Sequence, residues 1–194
     1  MARMPDLIPF AQKHGLKLAT IADLIAYRRQ NEKFIEMVAD RAFRSKFGED
    51  WTLRIYKNVL SGIEHVALIK GELSGTDPVM VRMHQVNILS DLFWDVDNPK
   101  TGEMHRAMSM VAAHGRGVVV VLRDKQQPEV SDRVKLQFTE NTTPPRLIDY
   151  GVGAQILVDL GVKNMILLSN TALTIIGLDG YGLKVTEQRP IPLD

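Results

Sequence analysis

"DYGVGAQILVDLGVKNMILLSN", Asp149–Asn170, decides the fold. Its first part reads as a helix that ends at Gly161, and "NMILL" reads as a strand apolar on both faces. Upstream, "GRGVVVVL" at Gly115–Leu122 is a second strand of the same unbroken apolar kind. Strand, helix, strand with two deeply apolar strands predicts an α/β domain: a mixed sheet covered by helices on both faces.

Working outward, Gly102–Gly115 has helical spacing, with Met104, Met108, Val111 and Ala112 on one side. Before it come short alternating runs that read as strands: "FIEMVAD", "WTLRIYKN", "HVALIKG" and "VMVRMH". After Asn170 a short helix "TALTIIGL" and a last strand "LKVTEQ" are expected, with Pro190 and Pro192 ending regular structure. Asp124–Arg146 is polar and proline-bearing, with one strand-like patch in "VKLQF", and is expected to be a long loop. Residues 1–31 read as two short helices. Pro5-Asp6 opens one and His14-Gly15 closes it; Thr20 and Asp23 form a capping box ahead of "LIAYRR".

The chain has 194 residues, 45% hydrophobic and 24% charged, with a formal net charge of +1. That balance offers no global attraction to nucleic acid or to an anionic membrane. The absence of cysteine excludes disulfides and every thiolate metal site. No apolar run is long enough to span a bilayer, and the N-terminus shows no secretory signal, so the cytoplasm is the expected compartment.

Candidate chemistry gathers in "MVRMHQVNILSDLFWDVDNP", Met80–Pro99. His84, Asp91 and Asp95 are oxygen and nitrogen donors that suit a hard cation. The competing expectation, which the single histidine favours, is a turn made by Asp95, Asp97 and Asn98, with Asp91 facing solvent. "GVGAQI" at Gly151–Ile156 approaches a dinucleotide fingerprint, but Ile156 holds the third glycine position. Neither a phosphate loop of the Walker kind nor a Gly-x-Ser-x-Gly elbow occurs. His14, His65, His105 and His114 read as surface or helix-end residues, and Glu49 and Asp50 as parts of a hairpin turn with Gly48. Taken alone, the residues advertise no catalytic apparatus.

The order of several phrases resembles GTP cyclohydrolase II: "EHVALIKGELSG" (Glu64–Gly75), "PVMVRMH" (Pro78–His84), "AAHGRGVVVVLR" (Ala112–Arg123), "DYGVGAQILVDLGV" (Asp149–Val162) and "LLSNTALTIIGLDGYGLKVTEQRPI" (Leu167–Ile191). Residues 1–31 instead look like the C-terminal tail of a 3,4-dihydroxy-2-butanone 4-phosphate synthase. In many bacteria that enzyme is fused ahead of GTP cyclohydrolase II, and both feed riboflavin biosynthesis. The resemblance therefore implies a synthase tail at 1–31, a GTP cyclohydrolase II-like domain at 32–194, and a fragment of such a fusion begun at an internal methionine. It also implies a homodimer, with the upstream synthase domain as partner in the same polypeptide.

The family holds a catalytic zinc with cysteines, and the first ligand position is here Asn87. The others fall near Asp97–Pro99, within "DVDNPKTG". Of the segment that contacts GTP, here "RDKQQP", Arg123 alone is kept. The family's proton acceptor and its phosphorus-attacking arginine are replaced by Arg146 and Ile148 in "RLIDY", and its phosphate-binding lysine by Thr174. Asn and Asp do not rebuild a thiolate zinc site, so no zinc and no turnover of GTP are expected; magnesium is expected only through the synthase domain. Apolar strands and helices persist, whereas unconstrained drift would have eroded the core as well. The expectation is a pseudoenzyme domain that supports or regulates the fused synthase. Two alternatives stand beside it. One is a residual nucleotide or flavin-intermediate binding module lined by Arg82, His84, Arg123 and Ser169; the other is an enzyme still active as a cyclohydrolase or with changed chemistry.

Overall fold

A computed structural model describes residues 4–20, 27–28, 32–123, 147–170 and 178–192. The chain divides into two compact units, Met1–Lys33 and Phe34–Asp194. In the first, helix α1 spans Met4–His14, with Asp6 in its opening turn and Lys13 and His14 in its last. That charge placement complements the helix dipole. The expected stop is present: Leu16 N donates back to Ala11 O at 2.9 Å. Most of the second expected helix lies outside the described residues, as do the loop 124–146 and residues 171–177 of the helix expected after Asn170.

The second unit is built on one sheet of strands β1 (Ile35–Ser45), β2 (Glu49–Asn58), β3 (Glu64–Lys70), β4 (Val79–Gln85), β5 (Gly117–Leu122), β6 (Asn164–Leu168) and β7 (Lys184–Arg189). Its order is β1-β2-β3-β5-β4-β6-β7. β1, β2, β3 and β5 pair antiparallel in succession, whereas β5, β4, β6 and β7 run parallel. The chain is thus a meander grafted onto a crossover sheet, the mixed α/β fold expected from the two apolar strands.

The α-helices among this unit's described residues are, in chain order, the short α2 (Ile88–Asp91), α3 (Glu103–His114) and α4 (Leu147–Asp159). The connection from β4 to β5 runs one way along the sheet, and that from β5 to β6 runs back past β4. Right-handed crossovers in opposite directions must pass on opposite faces. They do: α3 packs with Met80, Val119 and Leu168 on one face, and α4 packs with Val81, Val118, Val120 and Leu167 on the other. This explains the unbroken valines of β5. Val118, Val119 and Val120 are fully buried because each face of the strand meets a helix. Burying each such side chain contributes roughly 1.5 kcal/mol or more.

α4 spans Leu147–Asp159, so "LIDY" is helical, ahead of the expected start at Asp149. Tyr56 on β2 is wholly buried beside it and donates its hydroxyl to Asp159 Oδ2 at 2.9 Å. Burial first, then the hydrogen bond to Asp159, push the phenol far above its ordinary value. At the other end of β2 the β1–β2 hairpin tip docks on α3. A Cβ on Gly48 would meet Ala112 Cβ at 2.3 Å, and Gly48 has φ +98. Glycine alone satisfies both conditions.

Two surface expectations need correction. His65 is only 4% exposed, because β3 is flanked by β2 and β5, and its Nδ1 accepts from Arg123 N at 3.2 Å. Asp91 does not face solvent: its side chain is 10% exposed and bonded to His84. The turn expected after it is present, with Asp97 N donating to Asp95 Oδ1 at 3.2 Å and Asn98 N to Asp95 O at 3.2 Å.

Candidate functional site

Strands β4, β5 and β6 are parallel, so their C-terminal ends lie at one edge of the sheet. α3, next after β4 apart from the short α2, and α4, which precedes β6, pack on opposite faces of the sheet. A crevice at such a divergence is where α/β sheets place ligands. His84, Arg123 and Ser169 stand at or just beyond these three strand ends, and Arg82 lies one turn of the pleat inside.

Alternation along β4 sends Arg82 and His84 to the same face, the one covered by α3. Arg82 is drawn into an internal network. Its Nη2 donates to Glu103 Oε2 at 2.7 Å and its Nη1 to Leu168 O at 3.0 Å. The pair is 12% and 5% exposed. Asn170 Nδ2 donates to the second oxygen, Glu103 Oε1, at 3.0 Å, while Asn170 Oδ1 accepts from Ile191 N at 2.7 Å. One carboxylate at the start of α3 therefore ties together β4, the end of β6 and the C-terminal tail. Charge-assisted bonds of this geometry repay the cost of burial only when both ions are paired.

His84 enters a second network. Its Nε2 lies 2.8 Å from Asp91 Oδ2, which also accepts from Asn87 N at 2.7 Å. Asn87 Oδ1 in turn accepts from Leu89 N at 3.2 Å and caps α2. Burial pushes the Asp91 carboxyl upward, but the hydrogen bond and charge of His84 and the Asn87 amide outweigh it and hold the pKa below the ordinary value. Beside an ionised Asp91, Nε2 of His84 is the donor in this hydrogen bond, a role assigned from the pairing itself.

His105, on the first turn of α3, completes the cluster. Its ring stacks on Phe47 from the hairpin tip at 4.3 Å and on Trp94 at 5.5 Å. Burial lowers its pKa, against the upward pull of Asp91.

What can this arrangement do? Ser90 is buried and its hydroxyl donates to Asn87 O at 3.5 Å, away from the imidazole of His84. Asp95 is engaged in the turn described above and does not join His84 and Asp91. Among the described residues no group of three or more His, Cys, Asp or Glu side chains could hold a metal ion. Asn87 offers an amide already committed to a helix cap. Of the remaining candidates, Arg123 is exposed, and Ser169 is buried with its N donating to Arg189 O at 3.0 Å. Ile148 lies in the first turn of α4; Arg146 and Thr174 lie outside the described residues.

Sequence reading missed Glu103, Asn170, His105 and Phe47. Glu103 reads as an ordinary acidic residue at a helix start, and nothing local announces that its carboxylate meets a strand cation. Phe47 and His105 are joined only by the docking of a hairpin tip on a helix.

The profile of the family described as GTP cyclohydrolase II matches residues 36–190. Two curated relatives, each called "Riboflavin biosynthesis protein RibBA", illustrate the likeness. That of Mycobacterium ulcerans is 40% identical over all of this chain and 49% of its own length. That of Aquifex aeolicus is 38% identical over all of this chain and 51% of its own. The chain spans about half the length of the curated relatives it matches. A solved structure, "RibBX, a two domain 3,4-dihydroxy-2-butanone 4-phosphate synthase from A. baumannii", superposes with a TM-score of 0.66 at 31% identity, covering 97% of this chain and 50% of that one.

Proposed function

We propose, from the premise that this chain belongs to the GTP cyclohydrolase II family, that it keeps the family fold without the family chemistry and serves a fused dihydroxybutanone phosphate synthase. The observation that carries the proposal is Asn87. It stands where the resemblance puts the first zinc thiolate, and its amide and backbone are spent on capping α2 and on Asp91. Zinc needs thiolate, imidazole or carboxylate donors free to converge, and the residues here do not fit it. Without a metal to acidify water, the attack on a purine ring has no nucleophile at neutral pH. No step of the family reaction is therefore assigned to this chain.

The supporting role draws on the relatives. They are twice as long and named for riboflavin biosynthesis, and the A. baumannii protein with this fold in half its length is described as a two-domain synthase. In this reading the domain works in riboflavin biosynthesis by stabilising, dimerising or regulating the synthase half of a homodimeric polypeptide in the cytoplasm. Magnesium enters only with that half, and nucleic acid is not a partner. No helix among the described residues is long and apolar enough to cross a membrane. Synthase turnover, thermal stability and oligomeric state of the two-domain polypeptide, set against those of the synthase half alone, test the role. Equal values on all counts overturn it.

One observation favours a second reading. Arg123 is an exposed cation at the strand-end divergence, suited to a phosphate. Calorimetric titration with GTP, FMN and the synthase product tests that binding role, and absence of heat at millimolar ligand removes it.

A further inference from the structure

The segment that links α2 to the Asp95 turn exposes an unusual run of apolar side chains. Ile88 is 37% exposed, Leu92 69%, Phe93 68%, Trp94 47% and Val96 84%. Together they present on the order of 500 Å², the upper end of what a monomer leaves bare and a mark of a contact surface.

The run is held rigidly from beneath. Leu92 N and Phe93 N both donate to Ile88 O, and Asp95 N donates to Leu89 O at 3.1 Å. Thr101 Oγ1 donates to Asp95 O, and Arg106 Nη2 donates to Thr101 O at 2.6 Å. Trp94 adopts φ +58, a conformation that bulky residues avoid. Its ring is clamped between His105 and Gly102, where a Cβ would come within 3.1 Å of the indole. The indole thus anchors the base while Leu92, Phe93 and Val96 project outward. An apolar surface fixed in advance loses little entropy on binding, which is the character of an interaction hot spot.

We infer that Ile88–Val96 is the docking surface for the synthase half of the polypeptide, an inference that rests on the proposed supporting role. The size of the patch selects this occupant. A free homodimer needs roughly 800 Å² from each partner, and this patch falls short of that alone. A domain tethered in the same chain is present at an effective concentration of about millimolar, so a smaller apolar contact suffices. The A. baumannii protein, of which this chain covers 50%, is described as a two-domain synthase. Asp95, which lies within the run, is drawn into the loop's own turn, its carboxylate accepting from Asp97 N at 3.2 Å, while Asp97 stands exposed at the patch's edge.

Amide hydrogen exchange of residues 88–96 tests the inference, measured in the 194-residue chain alone and in the two-domain polypeptide. Exchange slower by about tenfold or more in the two-domain protein, independent of concentration, is expected. The exposed-site double variant Phe93→Ser/Val96→Ser should return exchange at Ile88–Leu92 to the rate of the single chain, without lowering its thermal midpoint there. Equal exchange in both proteins overturns the inference. So does protection that appears in the 194-residue chain alone as its concentration rises, because a second copy then covers the patch. Failure of the two ideas is separable. If synthase turnover depends on this domain while 88–96 stays unprotected, the surface is wrong and the role stands. If 88–96 is protected but turnover, stability and oligomeric state ignore the domain, the role is wrong and the surface stands.

Discussion

Replacing Glu103 by alanine probes the network that organises the strand ends. Glu103 is 5% exposed and Arg82 12%, so the variant leaves a buried guanidinium with Leu168 O as its remaining hydrogen-bond acceptor among the bonds described above. Removing one partner of a buried ion pair costs about 3–5 kcal/mol, because the other charge stays desolvated. The loss also frees Asn170 Nδ2 and loosens the hold on the tail at Ile191. With a urea slope of about 2 kcal/mol/M for a domain of this size, the midpoint should fall by roughly 2 M. Fluorescence of Trp51 and Trp94 during urea unfolding reads the second unit, which contains both. Glu103→Gln keeps an acceptor oxygen and should cost less, about 1–3 kcal/mol. The double variant Arg82→Met/Glu103→Leu removes both charges and should lie within about 1 kcal/mol of the parent. A shift under about 1 kcal/mol for Glu103→Ala, or a double variant as unstable as the single, would show that the buried pair does not hold the strand ends.

Other perturbations have equally definite outcomes. Tyr56→Phe removes the hydroxyl bonded to Asp159 and should lower stability by about 1–2 kcal/mol in the same unfolding assay, since the acceptor is charged. Gly48→Ala drives a Cβ into Ala112 at φ +98 and should cost about 2 kcal/mol or more; an unchanged midpoint would mean the hairpin tip does not dock on α3. Asn87→Ala strips the cap from α2 and should cost about 1 kcal/mol, and Asn87→Cys should lose as much while gaining no zinc by elemental analysis. Burial depresses the His105 pKa, so as pH falls below about 6.5 the unfolded chain takes up a proton first and stability declines. The Asp91 pKa is likewise depressed, so its contribution is present above the ordinary carboxylate value and is lost only as pH falls through the lower folded one. Stability should thus decline as pH falls below about 6.5, and His105→Phe should lessen that decline.

Legibility in the sequence followed the range of the interactions. The valines of β5 and the apolar run of β6 announced strands buried on both faces, because burial leaves its mark residue by residue. The meander was equally readable, since alternation and turn residues are local. The start of α4 was not, because "LIDY" alone is too short to show a helical period. At the candidate site, Asn87 was legible only as a missing thiolate. That its amide would be reused as a helix cap depends on α2, which is too short to leave a periodic signal. Asp91 and His65 were misplaced at the surface for a related reason. A polar residue reads as exposed unless its partner is visible, and their partners come from other strands and turns. The Arg82–Glu103–Asn170 network is long-range throughout, so no spacing rule could have drawn it.

In the proposed function the family fold survives here without its reaction. Supplying the 194-residue chain with zinc and GTP, and following GTP consumption by chromatography, tests it most directly. No consumption beyond the metal-and-buffer control, with no zinc retained after gel filtration, is the predicted result. Zinc-dependent turnover of GTP that scales with the amount of chain would contradict it.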